Sequence, residues 1–108
     1  MSYKIRIVKP AQLEMREIYR YIAKELQNPD AAARHIALID AAIVDLKENP
    51  ARYPLVRDAY LASRGYRMVA VKKHLIFFIV RENERAVLVM RVLCGRRDWM
   101  RLLEEEHK

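Results

Sequence analysis

A chain of 108 residues with 53% hydrophobic and 32% charged residues can bury a core of its own and is too apolar to be intrinsically disordered, so we expect one domain over residues 1–108. A single cysteine, Cys94, excludes an intrachain disulfide, and no apolar run reaches the length of a signal peptide or a membrane span. We therefore expect a cytoplasmic protein without a membrane partner.

Positive charge is concentrated in one half of the chain, within a net charge of +7. Residues 1–51 hold eight Lys and Arg against seven Asp and Glu, residues 52–101 hold twelve against four, and residues 102–108 hold one against three. Such a distribution favours an anionic partner, for example RNA, DNA or an acidic peptide. A solvated basic face that binds nothing explains the charge equally well.

The first half of the chain predicts a strand followed by two helices. Residues 3–8 alternate apolar and basic side chains, as a half-buried strand does. Residues 11–26 carry one apolar helical stripe, formed by Ala11, Met15, Ile18, Tyr19, Ile22 and Leu26, with Glu14, Glu17, Arg20 and Lys24 expected to face outward. A second helix is predicted to start at Asn28-Pro29-Asp30 and to end at Asn49-Pro50, with its own stripe of Ala32, Ile36, Ile39, Ile43 and Leu46.

The second half predicts three strands and a closing helix. After an irregular segment at 51–65, the strands cover residues 66–71, 75–80 and 86–93, and the connections between them are short enough for hairpins. Residues 97–106 predict a helix that packs Trp99, Leu102 and Leu103 on the sheet. We therefore predict an α+β fold with an N-terminal strand, an antiparallel helix hairpin, a three-stranded antiparallel meander and a short C-terminal helix. The first strand is expected at an edge of the sheet.

Two segments of the second half carry a family resemblance. Residues 91–99 read Arg-Val-Leu-Cys-Gly-Arg-Arg-Asp-Trp, and residues 65–69 read Gly-Tyr-Arg-Met-Val. Together with the element order, they resemble the RelE/ParE superfamily of bacterial type II toxins, which includes plasmid stabilisation proteins. The resemblance implies a growth-inhibiting toxin that needs no cofactor or metal. It also implies a cognate antitoxin, encoded beside the toxin. The toxin would contact operator DNA only through that antitoxin.

The antitoxin of such a toxin wraps the helices and the sheet with its C-terminal segment. Apolar and aromatic side chains near the basic half would suit an acidic peptide. The expected antitoxin contacts are Met15, Tyr19, Tyr21 and Trp99. The C-terminal helix has a small apolar anchor, and we expect the antitoxin to displace it.

The resemblance leaves two mechanisms open, because RelE-like members cut messenger RNA on the ribosome and ParE-like members poison DNA gyrase. Metal-free RNA cleavage needs a base, an acid and cations for the phosphate. Similar nucleases place basic residues on the second and third strands, an arginine after the last strand and a C-terminal Tyr or His. Arg67 and the Arg96-Arg97 pair match this pattern. Val69 and Ile76 or Phe77 stand where cations are wanted, and His107 is expected in a frayed end.

The candidate site residues therefore divide into cations and weak acid–base candidates. The expected anion or target contacts are Arg67, Arg91, Arg96 and Arg97. Arg91 would be either exposed or paired with an acid such as Asp58, and Arg96 and Arg97 could instead pair with neighbouring acids. His74 and Tyr66 are weak catalytic candidates, although an exposed turn histidine and a packed strand tyrosine are the ordinary interpretations. His35 and Cys94 are expected in the packing.

We interpret the sequence as a type II toxin, slightly favoured as a ParE-like gyrase poison that is not an enzyme. The first alternative is a RelE-like, metal-independent endoribonuclease that acts on the ribosome. The second is a non-toxic basic module that binds nucleic acid or acts as a co-repressor.

Overall fold

A computed structural model of the protein describes residues 2–95, 98–105 and 107. These residues form, in chain order, β1 (Lys4–Ile7), α1 (Lys9–Arg20), α2 (Pro29–Asp45), α3 (Ala59–Ser63), β2 (Tyr66–Val71), β3 (His74–Arg81), β4 (Ala86–Cys94) and α4 (Trp99–Glu105). The α+β fold and the element order expected from the sequence are confirmed. Within the described residues, no helix combines the length and the apolar character needed to cross a membrane.

The first helix is shorter than its apolar stripe suggests. α1 begins with Pro10 in its first turn and ends at Arg20, and a five-residue π-helical turn follows over Tyr21–Glu25. In that turn the Leu26 amide donates to the Tyr21 carbonyl over 3.2 Å, one residue further back than in an α-helix. Leu26, the last residue of the predicted stripe, is 57% exposed, and so is Tyr21, where the π turn begins.

The second helix follows the sequence closely. The Asn28 side chain accepts a hydrogen bond from the Ala31 amide at 3.1 Å, and Pro29 occupies the first turn. This satisfies one of the amides that a helix start leaves without an intrahelical partner. The predicted stripe faces the core, where Ala32, Ile39, Ile43 and Leu46 are fully or almost fully buried.

The sheet has the strand order β1-β4-β3-β2. β2, β3 and β4 form the predicted antiparallel meander. β1 lies at the edge, as expected, and runs parallel to β4, with Ile5 opposite Val87. The β3–β4 register shifts between Phe77 and Phe78, because β4 carries one extra residue there.

Alternating side chains give the sheet two apolar faces. The helix face packs against α1 and α2 and carries Ile76, Phe78, Val87, Val89 and Val92. The opposite face, called here the C-terminal face, packs against α3 and α4. Its core includes Tyr66, Phe77 and Leu93 from the strands and Leu61 and Leu103 from the helices. Both faces of the meander are therefore covered, which explains why β3 is apolar along nearly its whole length.

The segment expected to be irregular contains helical structure. Residues Pro50–Arg52 form a 3₁₀ turn, and α3 follows Asp58, whose carboxylate accepts from the Leu61 amide at 2.9 Å. Asp58 is thus the N-cap of α3 rather than the partner of Arg91. Leu61 is fully buried, so this short helix is held by packing as well as by its cap.

Candidate functional site

Arg67 lies on β2, on the helix face of the sheet. Its Nη1 donates to the Ala51 carbonyl at 3.3 Å and to the Tyr53 carbonyl at 2.5 Å. The guanidinium therefore ties the 3₁₀ turn to β2 and satisfies two carbonyls of that turn.

Arg91 is paired with Glu14, which the sequence pattern placed on the outer face of α1. The Glu14 carboxylate accepts from Arg91 Nε at 2.7 Å and from the Val92 amide at 2.9 Å. β1 ends at Ile7, opposite Val89, so this edge of β4 has no neighbouring strand beyond that point. Glu14 takes the place of a strand carbonyl there, and its side chain is only 17% exposed.

The two arginines of the expected set that the structure describes have separate partners. Arg67 and Arg91 lie on the two strands that flank β3, and each binds a different segment of the chain. Arg96 and Arg97 lie outside the described residues. Their expected role as anion contacts stays a prediction.

A tyrosine–histidine pair lies at the border of the C-terminal face. Tyr66 Oη and His107 Nε2 are 2.8 Å apart, and Arg64 Nη2 lies 3.0 Å from His107 Nδ1. The ring of Tyr60 contacts His107 edge-on, with centroids 6.3 Å apart. His107 is half-buried in a turn just beyond α4, and the frayed end expected there stays a prediction.

The arginine fixes the tautomer of His107. A guanidinium only donates, so Nδ1 must accept, which leaves the ring proton of the neutral imidazole on Nε2, where it points to Tyr66 Oη. The lone pair that a general base needs therefore faces Arg64. Arg81 lies on the same side of the sheet, two residues beyond Ile79, which pairs with Tyr66.

Apart from the Tyr66 hydroxyl, the strand side chains that pack on the C-terminal face are apolar. The set comprises Tyr66, Met68, Leu75, Phe77, Ile79, Met90 and Leu93. Trp99 of α4 lies over Phe77, with ring centroids 5.0 Å apart and an interplanar angle of 36°. In this structure Trp99 is thus a packing residue.

A second candidate site, called here the imidazole cleft, lies on the helix face. It is a cavity of about 810 Å³ between the π turn, α2, the β2–β3 turn and the end of β4. His35 Nε2 and His74 Nδ1 lie 2.9 Å apart inside it. Burial lowers the pKa of both rings. Nearby Lys72 lowers the pKa of His35 further, and His35 lowers that of His74.

Sequence reasoning missed both histidine contacts. His35 lies on α2 and His74 on β3. The sequence could have indicated their contact only if both side chains had been predicted to lie on the helix face of the sheet. The structure also moves His74 out of the turn: it is the first residue of β3, half-buried and opposite Cys94. Within the described ranges, no three His, Cys, Asp or Glu side chains are arranged to hold a metal ion.

The expected antitoxin contacts lie on two surfaces. Met15 is half-buried against the helix-face core, whereas Tyr19 and Tyr21 are 43% and 57% exposed. Trp99 lies on the C-terminal face. Further large apolar side chains are exposed on the helix hairpin, namely Leu13, Leu26, Leu38 and Val44. These side chains leave apolar surface of the helix hairpin open to solvent.

The comparisons with known proteins point to one family. The family model described as the ParE toxin of the type II toxin–antitoxin system parDE matches residues 5–99. No curated protein matches the chain.

Three solved structures are similar in fold. A chain of the chromosomal ParDE toxin–antitoxin system from P. aeruginosa is 13% identical, with a TM-score of 0.71 over 86% of this chain and 96% of that one. The RelBE2 toxin–antitoxin complex from Mycobacterium tuberculosis contains a chain 21% identical, with a TM-score of 0.60 over 87% and 99%. A mutant of the E. coli toxin RelE in the free state is 12% identical, with a TM-score of 0.69 over 99% and 98%.

Proposed function

Because the chain belongs to the ParE toxin family of type II toxin–antitoxin systems, we propose that this toxin inhibits growth by binding DNA gyrase and without cutting nucleic acid. A cognate antitoxin, encoded in a neighbouring reading frame, neutralises it. The toxin reaches operator DNA only through that antitoxin.

The packing of the C-terminal face supports a binding mechanism. In-line cleavage of RNA needs cations around the phosphate and a base beside the 2′-hydroxyl, on a face that RNA can reach. The packed strand side chains of this face are apolar apart from the Tyr66 hydroxyl, and α4 covers them with Trp99 and Leu103. A phosphodiester placed there would lose its hydration and gain no ion pair with those side chains.

The four arginines have two different proposed roles. Arg96 and Arg97 follow the last strand and contact the target. Arg67 and Arg91 support them indirectly, since one holds the 3₁₀ turn to β2 and the other is paired with Glu14. Replacing Arg67 or Arg91 should therefore lower the stability of the fold as well as the activity.

The antitoxin is proposed to bind the exposed apolar surface of the helix hairpin. Tyr19 and Tyr21, both exposed, supply the aromatic anchors, and Met15, half-buried against the helix-face core, is the third expected contact. An acidic C-terminal segment of the antitoxin fits the basic half of the toxin. The same segment displaces α4, which exposes Trp99.

A RelE-like endoribonuclease is the second candidate, and the Tyr66–His107 pair is the observation that favours it. A phenol and an imidazole in hydrogen-bond contact, with Arg64 bound to the ring and Arg81 on the same side, are the residue types that RNA cleavage requires. For catalysis Arg64 would have to release Nδ1, or substrate would have to replace the tyrosine at Nε2.

Expression of the toxin alone in a bacterial host tests toxicity, and co-expression of the neighbouring frame tests neutralisation. Growth arrest that the neighbour relieves is expected. Unimpaired growth would favour the non-toxic nucleic-acid-binding or co-repressor module. Purified toxin is then added to a gyrase supercoiling assay and, separately, to ribosomes translating a defined message. We expect loss of supercoiling and an intact message.

Matched variants separate the two mechanisms. Tyr66→Phe removes the hydroxyl and His107→Gln removes the imidazole, and both keep the approximate size of the side chain. Gyrase inhibition by either variant should stay within about twofold of that by the unchanged toxin. Arg96→Ala/Arg97→Ala should lower it by tenfold or more, whereas Arg6→Ala/Arg20→Ala removes the same charge from exposed positions and should not. Message cleavage that His107→Gln abolishes would overturn the proposal in favour of the nuclease.

A further inference from the structure

The imidazole cleft contains a contact that depends on protonation and has no part in the proposed function. His35 Nε2 and His74 Nδ1 are 2.9 Å apart, and the ring centroids are 4.8 Å apart. One ring must donate and the other accept at this distance. The contact joins the second turn of α2 to the start of β3, so it fastens the helix hairpin to the β2–β3 turn.

We propose that the contact between His35 and His74 is a pH-sensitive latch. At neutral pH it holds α2 to the β2–β3 turn across the imidazole cleft, and in acid it releases them. The first added proton can be shared between the two nitrogens. A second proton turns both rings into donors, and two cationic rings at this separation repel one another. The hydrogen bond is then lost, and α2 and the β2–β3 turn are free to separate at this point.

The charges around the cleft do not compensate for this repulsion. Lys72 and Lys73, in the turn next to His74, add to it. The α1 carboxylates at the cleft have cationic partners of their own, since Glu14 binds Arg91 and Glu17 binds Arg20 at 3.0 Å. The other titratable groups lining the cleft are Tyr21 of the π turn and Cys94 of β4, and both are neutral when they are protonated in acid.

The local backbone allows such an opening. The π turn begins at Tyr21, and Gln27 and Lys72 have positive φ angles of 49° and 55°, so irregular backbone borders the cleft at the start of α2 and in the β2–β3 turn. Residues in such conformations are held by their surroundings. The latch therefore joins α2 to β3 at a point where irregular backbone lies beside both elements.

Histidine-selective NMR titration of the intact toxin tests the coupling. His35 and His74 should titrate below 6.5 in two linked steps, and His35→Gln should move the pKa of His74 toward its ordinary value. His107 lies on the opposite face of the sheet and is the internal reference, so its resonances at any one pH should be the same in both proteins. Independent titration of His35 and His74 would overturn the proposal.

Hydrogen exchange tests the opening itself. Once corrected for intrinsic rates, the amides of residues 33–36 and 72–74 should exchange several-fold faster at pH 5.5 than at pH 7.5. In the His35→Gln/His74→Asn variant, amide groups take the positions of the two ring nitrogens and do not titrate, so this acceleration should disappear. Equal acceleration in the variant would show that the opening has another cause. If the double substitution disturbs folding, the single variant His35→Gln replaces it in this experiment, because an uncharged amide donor then faces His74.

Discussion

Glu14 stands on a helix but completes the hydrogen bonding of a strand. One carboxylate oxygen accepts from the Val92 amide and the other from the Arg91 guanidinium, so a single side chain satisfies the free edge of β4 and neutralises its cation. Both side chains are largely buried, at 17% and 15% exposed. Removing one partner would leave the other charged group without compensation in a poorly solvated place.

Replacing Glu14 should therefore cost more than its position on a helix suggests. Glu14→Gln keeps the shape but loses the charge, and should lower the free energy of unfolding by about 1.5–3 kcal/mol, the range for hydrogen bonds to charged groups. The matched control is Glu17→Gln, one turn further along α1, whose partner Arg20 is exposed, and there we expect about 0.5 kcal/mol or less. Urea denaturation measures both. Equal losses would mean that Glu14 acts as an ordinary surface charge.

The contacts of Glu14 and His35 could not be predicted from the sequence. Helical periodicity placed Glu14 on the outer face, and it does lie away from the centre of the apolar stripe. Its burial arises because β1 is too short to cover β4 beyond Val89, which is a property of strand pairing and not of α1. The contact between His35 and His74 depends in the same way on how two distant segments align.

At the scale of elements, α4 is a short helix held mainly by its apolar side. Leu103 is fully buried, Trp99 packs on Phe77, and Met100 on the other side is 43% exposed. A seven-residue helix is marginal by itself, so its position depends on these contacts. An antitoxin segment that displaced α4 would have to replace three apolar side chains, those of Trp99, Leu102 and Leu103.

Competition between α4 and the antitoxin predicts that weakening the anchor raises antitoxin affinity. Leu103→Ala should destabilise the docked helix by about 2–5 kcal/mol and tighten binding of the antitoxin's C-terminal peptide, because less of the binding free energy is spent on displacing α4. Met100→Ala should leave affinity unchanged. Trp99 is the only tryptophan, so its fluorescence reports the titration. No emission change on binding, or unchanged affinity in Leu103→Ala, would contradict displacement.

The elements themselves were largely predictable. The α2 stripe and its Asn28 cap are local signals, and they hold in the structure. The π turn was not predictable, because residues 21–25 continue the helical periodicity and differ only in their hydrogen-bond spacing. α3 is too short to show a stripe, and its boundary depends on the side chain of Asp58.

For the whole molecule, the histidine latch makes stability depend on pH. The pKa values of His35 and His74 are lower in the folded protein than their ordinary value of 6.5, so the unfolded chain binds more protons in acid. Their contribution to stability is therefore complete above pH 6.5 and is lost as the pH falls below it.

We expect the free energy of unfolding to fall between pH 7 and pH 5, and to fall less in His35→Gln/His74→Asn. Urea denaturation at a series of pH values, at constant ionic strength, measures the difference between the two proteins. Subtracting the two curves removes the contributions that the two proteins share. Parallel curves would show that the two rings titrate alike in the folded and unfolded chains.

The pairing of β1 with β4 constrains when this toxin can become active during its own synthesis. Lys4 leaves the ribosome early, and its partner Ala86 emerges only after the whole helix hairpin and the first two strands of the meander. The edge of the sheet therefore closes last, and a nascent chain stays incomplete until translation is almost finished. A partly synthesised chain therefore lacks the parallel β1–β4 pairing that completes the sheet.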